Sequence, residues 1–370
     1  MSVDQQSATL CINVDTGSSA TRGFALADFG DGSPYEFFIH QLPNVEARRA
    51  SEYENNKRRM NDRSSLIRFH QGNESIHRIV GEIPGHAGTK TDPNMSKSDE
   101  LVPKVLAFVG LAIDRIPSIE PDEINVKLNF MLPISEWADY QDMESDLLSC
   151  LLRGFSYNGQ HIEFAGAVVK GYMEGAGVAT VAPKGSTSYV GVCGHKDMNF
   201  IAVEDGRPME YPKSKTFEGL GMSSIVNSIK HFTDDVVGAK AVFRFISLMD
   251  KPKQAENARK ELAALIPAHR LEQKLTFTRE TFESKWEEVC RRIERDRGIK
   301  QAEYFFLVGG NTYLWHKRFK SLFGRAFTSL DHAFKELRDT YDEINSQWAY
   351  RALDIWLLHL ASTGRTWGQS

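Results

Sequence analysis

The sequence predicts an α/β protein of two domains with inserted subdomains. Three observations carry that prediction. The chain has 370 residues, more than one hydrophobic core ordinarily accommodates. Short apolar strands come first, and strands and helices then alternate. A charged helical block at about 222–298 interrupts that alternation.

The elements follow in order. Ala8 to Val14 is an apolar strand, Gly17 and a serine-rich turn follow, and Gly23 to Phe29 reads as a second strand. Phe37 to Gln41 extends this sheet. Residues 47–64 are strongly charged and read as a solvated helix or loop. Leu66 to Ile79 alternates like exposed strands around a Gly-Asn turn. Residues 85–98 (GHAGTKTDPNMSKS) read as a mobile surface loop. Val102 to Arg115 has helical periodicity, Asn125 to Leu132 is a strand ending at Pro133, Ala138 to Leu152 is helical, and Gly159 to Val169 is strand-like. The small-residue run Gly171 to Ala182 opens a helix. Thr187 to Val203 holds two strands around Gly194. Met222 to Leu248, Gln254 to Gln273 and Phe282 to Arg297 read as helices. Tyr304 to Val308 is a buried strand, and Leu330 to Thr340 and Gln347 to Ala361 are the last helices.

Composition narrows the function classes. A hydrophobic content of 41% with 25% charged residues is that of a soluble globular protein. The net charge of −4 gives no global attraction to nucleic acid or anionic lipid. Cys11, Cys150, Cys193 and Cys290 have no metal-ligand or redox spacing and read as free thiols in a reducing compartment. MSVDQQSATL has no export-signal pattern and no apolar run suits a membrane span, so the chain reads as cytoplasmic.

Four segments have the residue types for chemistry. In Asp15-Thr16-Gly17-Ser18-Ser19-Ala20-Thr21-Arg22, the glycine permits a tight turn whose N–H groups can form an anion nest. Ser18, Ser19 and Thr21 add hydroxyl donors, Arg22 adds a permanent charge, and Asp15 can hold hydrated Mg²⁺. The same pattern reads equally as a polar hairpin turn. Gly191 to Asn199 (GVCGHKDMN) is a second strand–turn–strand. His195 and Lys196 can face an anion and Asp197 a metal or water, or the tip is simply exposed. Phe305 to Thr312 (FFLVGGNT) ends a buried strand in two glycines, against which a ring or ribose can lie. Glu174 precedes Gly175-Ala176-Gly177; it can orient a water or merely complement a helix dipole.

Taken in this order, the segments resemble the actin-like ATPases, and among them the ParM-type plasmid-segregation actins. VDTGSSATR is similar to the first phosphate motif, GHKDMN occupies the place of the second, and FLVGGNT is similar to the adenosine motif. Gly81-Glu82, LNFMLPISEW at 128–137, FEGLGMSSIVNSI at 217–229 and the closing-helix segment NSQWAYRALDIW at 345–356 also fit. The resemblance implies an actin-like (ribonuclease H-like) two-domain fold with nucleotide in the cleft between domains. It places domain I at 1–182 with an insertion at about 36–101, and domain II at 183–344 with a helical subdomain at about 222–298. Residues 345–370 return to domain I.

The resemblance also implies site roles. Asp15 would hold hydrated Mg²⁺. Thr16, Gly17, Ser18, Ser19 and Thr21 would cradle the phosphates of ATP or ADP, with Arg22 standing where the family has Lys. Glu174 would position the hydrolytic water. Gly194, His195, Lys196 and Asp197 would close the phosphate pocket. Gly219, Gly221, Met222, Gly309, Gly310, Asn311 and Thr312 would border ribose and adenine. The second motif departs from the family: its opening acid position falls on Gly191, which leaves Asp15 as the main metal candidate and supports binding better than fast hydrolysis.

The implied function is a nucleotide-dependent filament in the bacterial cytoplasm that binds and hydrolyses MgATP and polymerises for plasmid or DNA segregation. Its partners would be further copies of itself and an adaptor that is DNA-binding or membrane-associated, with no direct nucleic-acid contact. A cortical cell-shape filament, a slow or non-hydrolysing nucleotide-bound scaffold, and a small-molecule kinase of the wider fold are the alternatives.

Overall fold

The computed structural model describes residues 8–17, 20–30, 34–42, 44–48, 63–82, 96–116, 120–221, 223–224, 245–246, 252–264, 267–344 and 346–367. These fall into two compact units: residues 1–181 together with 333–370, and residues 182–332. Most of the charged segment 47–64, of the loop 85–95 and of the helix expected at 222–248 lies outside the described residues.

The first unit starts with the hairpin β1 (Thr9–Thr16) and β2 (Thr21–Asp28), paired in register from Thr9↔Asp28 to Thr16↔Thr21. β3 (Tyr35–Gln41) continues the meander antiparallel to β2. A second sheet takes β4 (Val45–Ala47), β5 (Ser64–Gln71) and β6 (Glu74–Gly81). The first half of β5 is buried on both faces, because α1 (Lys97–Arg115) covers one side of it, so the expected exposed alternation does not hold there. α1 starts inside the segment read as a loop: the Ser96 hydroxyl caps it by accepting from Ser98 N, and Asp99 and Glu100 lie in its first turn.

β7 (Asn125–Leu132) adds parallel to β1. α2 (Tyr140–Arg153) leads into the small strands β8 (Phe155–Tyr157) and β9 (Gln160–Ile162) of the second sheet. β10 (Gly166–Met173) then pairs parallel to β7 and completes the order β10-β7-β1-β2-β3. The strand-like run 159–169 is therefore two strands in two sheets. The short helix α3 (Ala176–Ala179) follows β10.

β1 is buried on both faces. Leu10, Ile12 and Val14 join the core with Val105, Phe108 and Leu128. Asn13 and Asp15 alternate onto the opposite face.

The second unit repeats the motif. β11 (Ser188–Cys193) and β12 (Met198–Glu204) form a hairpin, flanked on the β12 side by β13 (Arg207–Pro208) and β14 (Lys215–Phe217). Helix α4 (Pro252–Ala263) is followed by α5 (Ala268–Arg295), with Pro267 at the N-cap of α5. The expected break between 273 and 282 is absent; the chain breaks at Pro267, which lacks the N–H that a continuous helix needs. A one-turn helix, α6 (Arg297–Lys300), precedes β15 (Tyr304–Val308), which pairs parallel to β11. α7 (Thr312–Phe323) was not anticipated; its Leu314, Trp315 and Phe319 bury against Phe200, Phe282 and Phe305.

α8 (Asp331–Thr340) and α9 (Ser346–Ser362) close the chain. α9 packs on β1, β2 and α3 and buries Ile355, Trp356 and Leu357. No helix among the described residues is long and apolar enough to cross a membrane.

Candidate functional site

In the first unit, the parallel strands β1, β7 and β10 end side by side. That sets Asp15, near the end of β1, and Glu174, just past β10, at one edge of the sheet. The backbone N–H of Glu174 donates to Leu132 O at 2.8 Å, extending the ladder to this residue. Lys97, the first residue of α1, bridges the two acids: its Nζ donates to Asp15 Oδ1 at 2.7 Å and to Glu174 Oε1. Arg22, opposite Asp15 in the hairpin, donates from Nη2 to Asp15 Oδ2 at 2.5 Å and from Nε to Arg351 O at 2.7 Å.

Two carboxylates and two cations thus compensate each other with little water. The Asp15 and Arg22 side chains are only 9% and 10% exposed, which strengthens each attraction and makes loss of a single partner costly. Burial opposes ionisation of Asp15, but Arg22 and Lys97 outweigh it and hold the carboxyl below its usual range. Burial likewise opposes the Lys97 charge, and Asp15 and Glu174 overcome it and raise its pKa.

The hairpin has free bonding capacity. Thr16 and Thr21, paired across its closed end, are buried, and neither hydroxyl has a hydrogen-bond partner among the described residues. Gly17 lies against Arg22 Nη1, 3.5 Å from where a Cβ would stand. Ser18 and Ser19 lie outside the described residues.

The small residues after Glu174 have a packing reason. Gly175 adopts φ +93°, and a Cβ at Gly177 would stand 1.8 Å from Asp354 O, so α3 and α9 meet backbone to backbone. The Asp354 carboxylate accepts from Gly175 N at 2.5 Å and from Val178 N at 3.0 Å. Burial pushes this acid up to about 7; the two backbone bonds pull it down, and Glu174 and Asp15 add to the rise.

In the second unit, three predicted groups converge. Gly194 N closes the hairpin turn on Asp197 O at 3.1 Å. Lys196 O accepts from Gly221 N at 3.0 Å, and Asp197 Oδ1 accepts from Gly219 N at 2.8 Å. Asn311 Nδ2 donates to Gly194 O at 2.7 Å. Gly309, at φ +100°, lies so close to the hairpin that a Cβ would stand 2.6 Å from Cys193 O. His195 joins the same turn by accepting at its carbonyl from Ser223 N at 2.7 Å. Gly310 is half-buried beside them, and Thr312 starts α7 with a buried, partnerless hydroxyl. Met222 lies outside the described residues.

A Cβ on Gly191 would stand 2.8 Å from the Phe305 ring and 3.0 Å from Leu307 Cδ1. The position faces the apolar side of the sheet, so its glycine has a packing reason.

The buried hydroxyls of Thr16 and Thr21, partnerless among the described residues, suit a phosphate-bearing ligand. For a divalent metal the fit is narrower. Among the described residues no cluster of three or more His, Cys, Asp or Glu could hold one, and Asp15 already binds two cations. That suits a Mg²⁺ carried largely by substrate phosphates and water. The site has two residues that no motif disclosed. Lys97 is 77 positions from Glu174 and carries no local signal. Asp354 does carry one, as a lone acid within Ala352-Leu353-Asp354-Ile355-Trp356.

No family profile and no curated protein matches the sequence. Solved structures do. The apo psk41 ParM protein is 12% identical with a TM-score of 0.52, over 96% of this chain and 98% of that one. The Alp12 filament structure gives 14% and 0.54 over 96% and 99%. Ta0583, an archaeal actin homologue solved with ADP, gives 10% and 0.52 over 96% and 99%. At such identities the likeness speaks to architecture, and across nearly its whole length this chain has the actin-like fold.

Proposed function

We propose that the chain is a nucleotide-dependent, filament-forming ATPase. The observation that carries this reading is the meeting of Asp15, Lys97 and Glu174 at the edge of an actin-like sheet, beside a hairpin with two buried, partnerless threonine hydroxyls. The solved relatives support it: one was determined as a filament and another with ADP.

In this reading the hairpin at Thr16, Gly17, Ser18, Ser19 and Thr21 holds phosphate oxygens. Arg22 fixes the Asp15 carboxylate and borders Gly17. Asp15 would hold the hydrated Mg²⁺, which would supply neutralisation of phosphate charge. Glu174 has one oxygen on Lys97 and would orient a water molecule by accepting a hydrogen bond from it. In the second unit, we assign Gly194, His195, Lys196 and Asp197 to phosphate and Gly219, Gly221, Met222, Gly309, Gly310, Asn311 and Thr312 to the nucleoside. Phosphoryl transfer of this kind asks mainly for positioning and charge compensation. A head-to-tail contact that does not close makes the filament. The cellular role that fits is plasmid or DNA segregation in the bacterial cytoplasm through an adaptor.

Glu174→Ala tests the chemistry. Phosphate release falls by about a hundredfold or more, while ATP-dependent assembly, read by light scattering, persists. Unchanged release would remove Glu174 from the mechanism and favour a scaffold that binds nucleotide without hydrolysing it.

A further inference from the structure

Lys97 is the residue of the site that the motifs leave unexplained. It is not a surface lysine that happens to lie near an acid. Its side chain is 15% exposed, and from the first residue of α1 it bonds Asp15 of β1 and Glu174, just past β10. The ammonium has three N–H donors, of which Asp15 Oδ1 and Glu174 Oε1 take two. The remaining donor, on a fixed charge, lies between the acid assigned to the metal shell and the acid assigned to the attacking water.

We infer that Lys97 binds the terminal phosphate of the nucleotide, distinguishing a triphosphate from a diphosphate. This rests on the nucleotide reading above and extends it to a residue outside the phosphate hairpins. The group that Glu174 addresses through a water is the terminal phosphate. A cation hydrogen-bonded to Glu174 is therefore placed beside that phosphate and not beside the inner ones.

The four charged groups also compensate one another before ligand arrives. Asp15 and Glu174 bring two negative charges and Arg22 and Lys97 two positive. Arg22 directs two of its nitrogens to Asp15 and to the Arg351 carbonyl and so has less freedom to reorient. Lys97, on a flexible stem, can keep one carboxylate and turn its other donors to an incoming oxyanion. It would act as a cation built into the protein beside whatever charge Mg²⁺ brings.

The test is equilibrium binding of ATP and of ADP, each with Mg²⁺ and with EDTA, to the full chain. In Lys97→Met, ATP affinity falls about tenfold to a hundredfold, as loss of a charge-assisted hydrogen bond predicts, while ADP affinity changes less than about threefold. Lys97→Met leaves Glu174 without its cation and so carries a folding risk. Lys97→Met/Glu174→Gln removes that buried charge, and it is compared with Glu174→Gln alone. The ratio of ATP to ADP affinity drops between those two variants. Lys97→Cys alkylated to an aminoethyl cysteine, which rebuilds an ammonium at nearly the same reach, restores the ratio. An identical ratio in the two glutamine variants overturns the role of Lys97 while leaving nucleotide binding standing. A wild-type protein that binds neither ATP nor ADP overturns the nucleotide reading itself.

Discussion

Gly191 and Lys97 each gain from the fold something that their local sequence does not show. Gly191 was read as standing where the family's second phosphate motif opens with an acid. In the fold, a side chain there meets Phe305 and Leu307. Strand alternation decides this, since a shift of one residue exchanges the two faces of a sheet. Lys97 was counted as part of a mobile loop because GHAGTKTDPNMSKS is rich in breakers, yet Ser96 caps a helix within that segment. Its partners lie 82 and 77 residues away, so no local pattern announces it. The Gly191 reading has a direct consequence. Gly191→Asp places a carboxylate against aromatic carbon, and unfolding by urea should show a loss of about 3–5 kcal/mol. An aspartate variant of wild-type stability with tighter Mg²⁺ binding would restore the original motif reading.

At the scale of elements, the strands were the most legible. Asn125–Leu132 and Tyr304–Val308 stand where their apolar runs and the flanking Pro133 and Gly309 placed them. Helix α7 starts directly after the double glycine, which ends the strand and hides the helical spacing of Tyr313 to Phe319. What the sequence could not show is how α9 is tied down. Asp354 holds the backbone after Glu174, while His359 reaches two strands: Asn13 Nδ2 donates to its Nδ1, so its Nε2–H donates to Glu36 Oε1, both at 2.8 Å. Glu36 also accepts from Tyr341 and Arg365. The two acids titrate in opposite senses. Glu36 is desolvated, but His359 and Arg365 hold it below its usual range, so its contribution is present above the ordinary carboxylate pKa and is lost as pH falls. Asp354 is raised to about 7, so its contribution is full below the ordinary carboxylate range and is lost as pH rises through about 7. Thermal melts of the full protein should therefore show stability that is highest near about pH 4 to 5 and declines as pH rises to about 7. Asp354→Asn should flatten the alkaline limb and leave the acid limb. An alkaline limb unchanged in that variant would contradict this assignment.

At the scale of the whole molecule, each unit uses the same device. A hairpin whose first strand pairs with a parallel neighbour presents its turn at the sheet edge, β1–β2 with β7 in one and β11–β12 with β15 in the other. The two turns differ in what they offer. The first gathers charged side chains and partnerless hydroxyls around Asp15. The second is mainly backbone, locked by Gly219, Gly221 and Asn311. The pairing of these two turns in one chain was visible in the sequence as repeated strand–glycine–strand runs. The compensation of Asp15 by Arg22 and Lys97 was not, because it depends on three elements meeting. The central claim is that this actin-like chain assembles in response to nucleotide. High-speed sedimentation at several micromolar protein, with and without Mg²⁺ and a non-hydrolysable ATP analogue, tests it most directly. The account predicts a pelleted polymer with the analogue and soluble protein without nucleotide. Protein that stays in the supernatant in both tubes, although it is folded and binds the analogue, would contradict it.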